Sequence, residues 1–479
     1  MGKIKEMITQ RIWQLVYSWL AYPVLWLGAH LLAFKNQNIK AGLAGRKGLW
    51  QRLEMQLRQR DPNKPLIWFH VSSAGEFLQV QPVLERCLQH GFDCALTFTS
   101  VNGYKWIQRT KFPDGQRPVV MDYLPLDSLW NMRRLINILR PLRIVYVQYD
   151  LWPNLVWEAY KAGIPQYLIS AMIQPRSKRL TSAFGRSLYR TLYACLHGIF
   201  TVTEADRQRF LLTNPAHPNI QTVGNTRFDS VLDRKRKLAS PKLPESIAGK
   251  FVFIVGSSWP PDEACIFPAL KEALECYPDF CVIIVPHEPT EQHLRNSETF
   301  FKDFPLERLT KLRSHSIYDH AVRPEPVEGQ DGALRQEPSV LSLSKGQDQQ
   351  GQASITEKFV TRIILGDTVG VLSALYAAGT LAYVGGAFTT GVHNVMEPCA
   401  MGLPVIFGPK HYNSPEAVDL LKRGLAFVVN HQEDFRTVLL RLLADPERCR
   451  QLGQQAAQVI ETQAGVADRC FQLITQALS

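Results

Sequence analysis

A stretch near the carboxyl end of the chain combines residue types that can hold a phosphate or a ribose. It begins with the paired glycines Gly385 and Gly386 and continues through a polar loop to Asn394 and Glu397, between two apolar runs. Glycines let the backbone approach a ligand closely, and a carboxylate one turn into a helix can accept both hydroxyls of a ribose. The pattern predicts a βαβ unit with a helix opening at Asn394 and a nucleotide-type ligand beside it. A structural alternative is that Asn394 caps this helix and Glu397 closes a capping box.

The acidic residue Glu76 is a candidate general base. It follows the apolar run 66–71 and a short turn that contains Ser73 and Gly75. The dipole at a helix start keeps a carboxylate ionised, and an ionised carboxylate at a strand end can take a proton from an incoming hydroxyl. The spacing Ser73-x-x-Glu76 also matches a capping box, which stays open as the structural alternative. Gly75 favours the role of Glu76 as a base over the capping box. Glycine in a first helical turn lowers helix stability by about 1 kcal/mol relative to alanine, and close approach of a ligand would explain its presence there.

Four further turns carry polar groups or glycines. Asp150 lies in a polar cluster that follows an apolar run, and Arg227 can either face an anionic ligand or pair with Asp229 on the surface. In the second half of the chain, turns at Ser257 and before Gly370 can offer backbone N–H groups to a phosphate. Several such turns in one half predict a nucleotide site there.

Short apolar runs alternate with longer amphipathic stretches, as in parallel strands joined by crossover helices. Two sets of predicted strands are separated by the charged stretch 233–241. The first set is 66–71, 95–99, 144–147, 167–169 and 198–202, and the second is 251–255, 281–285, 362–365, 381–384 and 405–407.

We therefore predict an α/β fold with two facing, doubly wound Rossmann-like domains and a ligand-binding cleft between them. The predicted domains cover residues 41–235 and 236–479. Within the second, residues 322–352 carry recurrent Gly-Gln-Asp and no periodic apolar face. This composition predicts a disordered insertion without a catalytic part.

The N-terminal residues 12–34 carry no formal charge and are flanked by basic residues. At about 1.5 Å per residue they are just long enough to cross a hydrocarbon core of roughly 30 Å. Gln14, Pro23 and several aromatic residues favour an interfacial or signal anchor, and a buried core helix is a third possibility. We predict a membrane anchor over residues 1–40, with the basic run after Phe34 keeping the globular part cytoplasmic.

The amino-acid composition limits the classes of binding partner and the redox compartment that are expected for this protein. A formal charge of +11 over 479 residues indicates acidic small molecules, anionic lipid or nucleic acid. The sequence contains no zinc-finger spacing or RNA-binding signature, which disfavours nucleic acid. The nine cysteines are scattered without a Cys-x-x-Cys pair, so we predict buried thiols in a reducing compartment rather than a zinc site or disulfide framework.

Taken in order, these segments resemble the Kdo transferases, membrane-associated glycosyltransferases that move 3-deoxy-D-manno-octulosonic acid (Kdo) from CMP-Kdo to a lipid A precursor. The resemblance covers nearly the whole chain. It implies a GT-B architecture, an inverting displacement without a metal ion or other cofactor, and a place in lipopolysaccharide core biosynthesis at the cytoplasmic face of the inner membrane. The motifs that carry it are 45–48, 73–76, 150–154, 224–229, 366–370 and 385–409.

The resemblance also implies roles for individual residues. Glu76 falls on the family's general base, and Asp150 and Ser73 fall on the acceptor side. The donor side comprises Arg227, Ser257, His287, Gly370, Asn394 and Glu397. His287 stands in Pro-His-Glu-Pro where a Pro-Arg-His-like motif is expected, while Gln148 and Met172 replace an acid and an arginine.

Two other functions stay open at this point. A different GT-B transferase that uses a UDP-sugar on a lipid-linked acceptor would share the fold, the anchor and the role of Glu397. A non-catalytic nucleotide-binding protein at the membrane would share the fold but would not need Glu76. A preference for UDP over CMP would identify the first, and intact function of a Glu76→Gln variant would identify the second.

Overall fold

The computed structural model describes residues 2–58, 60–110, 112, 116–238, 244–313 and 361–476. The chain divides into two compact units, the first formed by Met1–Lys237 with Val459–Ser479 and the second by Leu238–Gln458. Each unit contains one parallel sheet with seven described strands. The predicted insertion at 322–352 lies outside the described residues.

The first unit alternates strands with helices. Its strands are β1 (Leu66–Val71), β2 (Asp93–Phe98), β3 (Val120–Tyr123), β4 (Arg143–Val147), β5 (Gln166–Ala171), β6 (Gly198–Thr201) and β7 (Ile220–Thr222). Its helices are α1 (Gly2–Val16), α2 (Tyr22–Leu32), α3 (Gln37–Gly45), α4 (Leu49–Leu57), α5 (Ala74–Gln89), α6 (Val101–Arg109), α7 (Leu129–Leu139), α8 (Pro153–Lys161), α9 (Lys178–Thr181), α10 (Ala183–Tyr193), α11 (Glu204–Thr213) and α12 (Arg227–Lys237), with a π-helical turn, Tyr17–Ala21, between α1 and α2.

The second unit repeats this arrangement. Its strands are β8 (Phe251–Ser258), β9 (Phe280–Pro286), β10 (Leu306–Arg308), β11 (Ile363–Leu365), β12 (Leu381–Val384), β13 (Val405–Phe407) and β14 (Ala426–Val428). Its helices are α13 (Pro260–Cys276), α14 (Glu291–Phe300), α15 (Leu309–Arg313), α16 (Leu372–Tyr376), α17 (Met396–Ala400), α18 (Pro415–Lys422), α19 (Gln432–Ala444) and α20 (Pro446–Thr462). The last residues of α20 belong to the first unit, as does the final helix, α21 (Val466–Thr475).

The strand order creates one crevice in each sheet. The first sheet runs β3-β2-β1-β4-β5-β6-β7 and the second β10-β11-β9-β8-β12-β13-β14. The order reverses between β1 and β4 in the first sheet and between β8 and β12 in the second. Ligands of open α/β sheets bind at such switch points, outside the carboxyl ends of the strands. These two places are where functional side chains are expected.

The C-terminal helix α21 belongs to the first unit, which differs from the predicted domain 236–479. Its buried residues include Val466, Cys470 and Ile474, which join the core under α5. Asp229 accepts the backbone N–H groups of Gly465 (2.8 Å) and Ala467 (3.1 Å) at the start of this helix. The apolar face of α21 is thus buried in the first unit, and a buried carboxylate satisfies its first N–H groups.

Within the described residues, one helical segment, Met7–Leu32, is long and apolar enough to cross a membrane by length and composition. It agrees with the apolar N-terminal segment predicted at 12–34. Its mean hydropathy is 1.4 over the most apolar window, and that window is not buried.

Candidate active site

The turn after β1 places Glu76 against the end of its own strand. The Ser73 hydroxyl accepts the Glu76 N–H (3.3 Å), so Ser73 caps α5 as predicted. The Glu76 carboxylate, which is buried, accepts the N–H of Ser72 at 2.6 Å. A capping box is closed by the N–H of the capping residue itself, whereas this carboxylate reaches one residue further, to the strand end. Glu76 therefore lies at the switch point of the first sheet.

Asp150 comes to the same place from β4, the strand next to β1. Its carboxylate accepts the hydroxyl of Ser72, lies 3.3 Å from Nε2 of His70, and accepts the indole N–H of Trp152 at 3.3 Å. Ser72 therefore donates its backbone N–H to Glu76 and its hydroxyl to Asp150. The structure thus brings the predicted residues Glu76, Ser73 and Asp150 together around a serine that the sequence analysis did not single out.

The surroundings of Asp150 keep it ionised. Burial raises the pKa of its carboxyl, but hydrogen bonds and charge from His70, together with bonds from Ser72 and Trp152, outweigh burial and leave this pKa below its usual range. A carboxylate that accepts several hydrogen bonds is stabilised in its charged form. Two carboxylates with different surroundings at one switch point can take different roles: one can orient a polar substrate while the other accepts a proton.

His70 supports Asp150 from inside the sheet. It is fully buried in β1, and its Nδ1 lies 2.9 Å from the hydroxyl of Thr97, which also accepts the indole N–H of Trp68 (2.8 Å). A neutral His70 that accepts the Thr97 hydroxyl hydrogen at Nδ1 and a protonated His70 both carry a hydrogen on Nε2, and this N–H faces Asp150. The sequence signal for this residue was a histidine inside the apolar run Leu-Ile-Trp-Phe-His-Val.

Arg227 opens helix α12 at the end of a neighbouring strand. Thr226, just before it, bonds Ser170 at the end of β5 through both its hydroxyl (2.8 Å) and its N–H (3.2 Å). The alternative of a surface pair between Arg227 and Asp229 is wrong, because Asp229 is buried and accepts backbone N–H groups of α21. Within the described residues, Arg227 is not in hydrogen-bond contact with Asp150.

The paired glycines of the second unit pack against its first strand. A Cβ on Gly385 would lie 2.2 Å from the carbonyl oxygen of Ser257, and a Cβ on Gly386 (φ 93°) would lie 2.4 Å from the carbonyl oxygen of Gly391. The structural need for these glycines is thus close packing of their own chain, in addition to any ligand approach. Ser257 itself has φ 53°, which strains a residue with a side chain at the switch point.

A buried acid, Asp262, fixes this turn and was missed by the sequence analysis. Its carboxylate accepts the N–H of Gly386 (3.0 Å), the hydroxyl of Tyr383 (2.8 Å) and the N–H of Trp259 (2.9 Å). Burial raises the pKa of Asp262 although these hydrogen bonds lower it. Through these bonds Asp262 holds β12 and the start of α13 together.

Three rings form a stack beside the glycines. His287, which follows β9, lies between Trp259 (centroids 4.6 Å apart, 28° between planes) and His393 (4.5 Å, 9°). The indole N–H of Trp259 donates to Nε2 of His393 at 3.1 Å. Since an indole N–H can only donate, this nitrogen of His393 is unprotonated. The structure thus joins the predicted His287 to Trp259 and His393, which the sequence analysis had not assigned.

Asn394 and Glu397 are joined directly. Helix α17 begins at Met396, two residues after the predicted start, because the Asn394 side chain accepts the N–H of Met396 (3.1 Å) and makes a local turn. The side-chain amide of Asn394 donates to the Glu397 carboxylate at 2.9 Å. The predicted pair is therefore assembled, with the carboxylate in the first turn of a short helix.

Gly370 closes the turn after β11 and has φ 81°. In the same turn, Asp367 accepts the N–H of Thr310 at 3.0 Å and its hydroxyl. Nothing among the described contacts joins Gly370 to the ring stack or to Glu397. Across the described residues, no group of three or more His, Cys, Asp or Glu side chains is placed to hold a metal ion.

The burial of His393 makes a pH-dependent contribution to stability. Burial, with a smaller effect from His287, lowers the pKa of His393 to about 4. Between that value and about 6.5, the unfolded chain binds a proton that the folded chain does not, so the free energy of unfolding falls as pH falls. We expect wild type to lose up to about 3 kcal/mol more than His393→Gln between pH 7 and pH 4.

Urea unfolding of both proteins across this pH range measures the difference. His431→Asn is the matched control, since His431 is exposed, caps α19 through Asp434 N–H, and asparagine is a good capping residue. Equal pH dependence in wild type and His393→Gln would contradict a neutral, partly buried His393.

Comparison with known proteins agrees with these observations. A family model described as 3-deoxy-D-manno-octulosonic-acid transferase matches residues 47–230. The transferase of that name from Haemophilus influenzae is 22% identical over 97% of this chain and 98% of its own, and that of Bordetella pertussis is 27% identical over 84% and 85%. A solved UDP-N-acetylglucosamine 2-epimerase superposes with a TM-score of 0.54 at 13% identity, over 83% of this chain and 94% of that one.

The structural likeness confirms the predicted fold class, two Rossmann-like units of the GT-B type. The sequence matches extend over most of the chain and include the β1 and β4 strand ends where Glu76 and Asp150 meet. The chain is thus similar over most of its length to the Kdo transferases, and it is a glycosyltransferase.

Proposed function

We propose that this protein transfers Kdo from CMP-Kdo to a hydroxyl of a lipid A precursor, with inversion at the anomeric carbon. One observation carries the catalytic part of this proposal. At the switch point of the first sheet, the carboxylates of Glu76 and Asp150 bracket Ser72, which donates to both. Such a pair of acids suits the activation of a sugar hydroxyl, and similarity to the Kdo transferases of Haemophilus influenzae and Bordetella pertussis supports Kdo as the sugar.

In the proposed reaction, Glu76 accepts the proton of the acceptor hydroxyl. The hydroxyl oxygen forms a bond to the anomeric carbon of Kdo while the bond from that carbon to the CMP phosphate oxygen breaks. CMP leaves with the electron pair of the broken bond, and the proton ends on the Glu76 carboxyl. Attack from the face opposite the leaving group inverts the anomeric carbon, through an oxocarbenium-like state.

Asp150 is proposed to orient the acceptor. Its lowered pKa keeps it ionised, so it can accept a hydrogen bond from a second acceptor hydroxyl while Glu76 works as the base. Ser73 contributes by capping α5 and thereby fixing the turn that carries Glu76. Ser72, which donates to both Glu76 and Asp150, holds the two carboxylates at the same strand ends.

The donor is proposed to bind the second unit. Glu397, held by Asn394, accepts the ribose hydroxyls of CMP. His287 lies in a stack of flat rings that suits a pyrimidine or the phosphate beside it. Backbone N–H groups at Ser257 and Gly370 serve the phosphate, and Arg227 adds a positive charge for the anionic donor.

The acceptor is a lipid, so the reaction is proposed to take place at the cytoplasmic face of the inner membrane. The apolar helical segment Met7–Leu32 and the formal charge of +11 support this location. The active protein is proposed to need no metal, since protons and charges at the reaction centre are handled by carboxylates and basic groups.

Transfer tests the function directly. CMP-Kdo is generated in situ and offered with a tetraacylated lipid A precursor, and the product is read by mass. We expect a product heavier by one or more Kdo units. Titration of the protein with CMP and with UDP accompanies the assay. Tighter binding of UDP, with no Kdo product, would identify a different sugar donor and overturn the proposal.

A further inference from the structure

Helix α1 and the π-helical turn that continues it, together called the N-terminal helix, bind the rest of the first unit through hydrogen bonds along one face. The bonds recur at helical spacing and go to α8, α10 and the residues just after α10. They join Gln10 to Cys195 (3.4 Å), Trp13 to Ser187 (2.9 Å), Gln14 to Glu158 (2.8 Å) and Ser18 to Asn154 (2.7 Å). Gln14 is buried, and its partner Glu158 is buried too. This part of the segment is thus docked on the protein rather than free to leave it.

The opposite face of the same helix is apolar and exposed. Ile8, Ile12, Leu15 and Trp19 follow one another at intervals of four, three and four residues, which places them in one stripe. Their side chains are between 53% and 74% exposed. Single exposed apolar residues are ordinary, but a continuous stripe with a polar opposite face indicates an interaction surface. We call these four residues the apolar stripe.

A membrane-spanning arrangement would conflict with this docking. If α1 crossed a bilayer, Gln10 and Gln14 would lose their partners and enter hydrocarbon, and Glu158 would lose a buried hydrogen bond. Unsatisfied polar groups are strongly disfavoured in hydrocarbon. With α1 docked, α2 has 11 residues, or roughly 16 Å, about half the hydrocarbon thickness. The undocked part alone is too short to span.

We propose that α1 and α2 lie in the plane of an anionic bilayer surface, with the apolar stripe inserted at the boundary between headgroups and acyl chains. This inference deepens the membrane location proposed above by specifying how the protein is held there. Basic residues on α1, directly after α2, and on the neighbouring helices α3, α9 and α10 favour anionic headgroups as the partner. Those exposed in the structure include Arg11, Lys35, Lys40, Lys178 and Arg186.

In-plane binding also brings the membrane to the acceptor side of the candidate site. Ser18 contacts Asn154 in the first turn of α8, and Asp127 accepts the N–H groups of Asn154 and Leu155 (both 3.0 Å). Helix α8 begins three residues after Asp150. A lipid acceptor in the bound bilayer would therefore lie near the turn that carries Asp150, which a helix crossing the bilayer away from the body would not achieve.

Vesicle binding by the full chain tests the proposal. Leu15→Glu places a charge in the apolar stripe. Leu212→Glu is the matched control, since Leu212 is 74% exposed on α11, which makes none of the hydrogen bonds that hold the N-terminal helix. We expect Leu15→Glu to weaken partition onto phosphatidylglycerol–phosphatidylethanolamine vesicles by roughly tenfold or more, and Leu212→Glu to bind like wild type. Unchanged binding of Leu15→Glu would overturn the proposal.

The depth of Trp19 in the bilayer distinguishes an in-plane helix from a membrane-spanning helix. Trp19 fluorescence, taken as the difference between wild type and Trp19→Phe, is quenched by lipids brominated at either end of the acyl chain. We expect stronger quenching by bromine near the headgroup and release of the protein by alkaline carbonate. Stronger quenching near the chain end with resistance to carbonate would establish spanning and contradict the inference. CMP titration of the same proteins shows separately whether the proposed function fails.

A second copy of the chain is the competing occupant of the stripe. If the stripe paired two copies, Leu15→Glu would convert a dimer to a monomer in the absence of lipid while leaving vesicle binding intact. Sedimentation of wild type and variant without vesicles measures this, and that combination of results would overturn the bilayer as partner.

Discussion

Replacement of Glu76 by glutamine should abolish transfer while leaving nucleotide binding intact. A glutamine side chain can still accept the N–H of Ser72, which the carboxylate accepts at 2.6 Å, so the turn and the cap by Ser73 are preserved. It cannot take a proton from an acceptor hydroxyl. General-base catalysis contributes about 10²–10⁴-fold, and we expect a loss of turnover of about 10³-fold with CMP affinity within a factor of two.

Glu85→Gln is the matched control for this experiment. Glu85 lies on the same helix and is also buried, but it bonds Gln81 and Lys237 rather than the strand end. We expect transfer by Glu85→Gln to remain close to wild type. Normal turnover by Glu76→Gln would show that another group is the base, with Asp150 the next candidate. Equal losses in both variants would indicate damage to α5 instead of loss of a base.

The central strands of both sheets could be predicted from sequence, whereas the edge strands could not. All ten predicted apolar runs correspond to interior strands of the two sheets. The four missed strands are β3, β7, β10 and β14, which are the edges. They have three or four residues each, and β7 and β10 are partly exposed. A strand buried on both faces must be apolar throughout, but a short edge strand carries little such signal.

The position of α21 shows a second limit. The amphipathic pattern of Val466–Thr475 predicts that one face of this helix is buried, but it does not predict which of the two sheets that face packs against. Its partners are fixed by Asp229, which accepts its first N–H groups, and by the ion pair of Arg86 with Asp468. These contacts join residues more than 200 positions apart in the chain, so local patterns could not reveal them.

The candidate site also combines features that can be predicted from sequence with features that depend on the tertiary structure. That Glu76 and Asp150 both follow strand ends could be seen from sequence, but their meeting depends on β1 and β4 being neighbours. The role of His70 requires the pairing of β1 with β2, which sets His70 opposite Thr97. Likewise, the contact of His287 with His393 depends on how turns from different strands approach one another.

Replacement of Glu397 by glutamine should weaken CMP binding without destabilising the fold. Glutamine keeps an oxygen that can accept the Asn394 side-chain amide, which lies 2.9 Å from the carboxylate, so the turn into α17 is preserved. What is lost is the negative charge that strengthens hydrogen bonds from ribose hydroxyls. Hydrogen bonds to charged groups contribute about 1.5–3 kcal/mol, and we therefore expect CMP affinity to fall by about 10–100-fold.

Glu416→Gln provides the comparison that separates binding from helix capping. Glu416, in the first turn of α18, is half-buried like Glu397 and accepts a side-chain hydrogen bond from the residue before its helix, Ser414 (3.0 Å). Both variants should unfold within a few degrees of wild type, but only Glu397→Gln should lose CMP affinity in calorimetric titration. If Glu397→Gln unfolds much earlier and binds CMP normally whenever folded, Glu397 serves the helix rather than the nucleotide, and the ribose contact must come from another residue of the second unit.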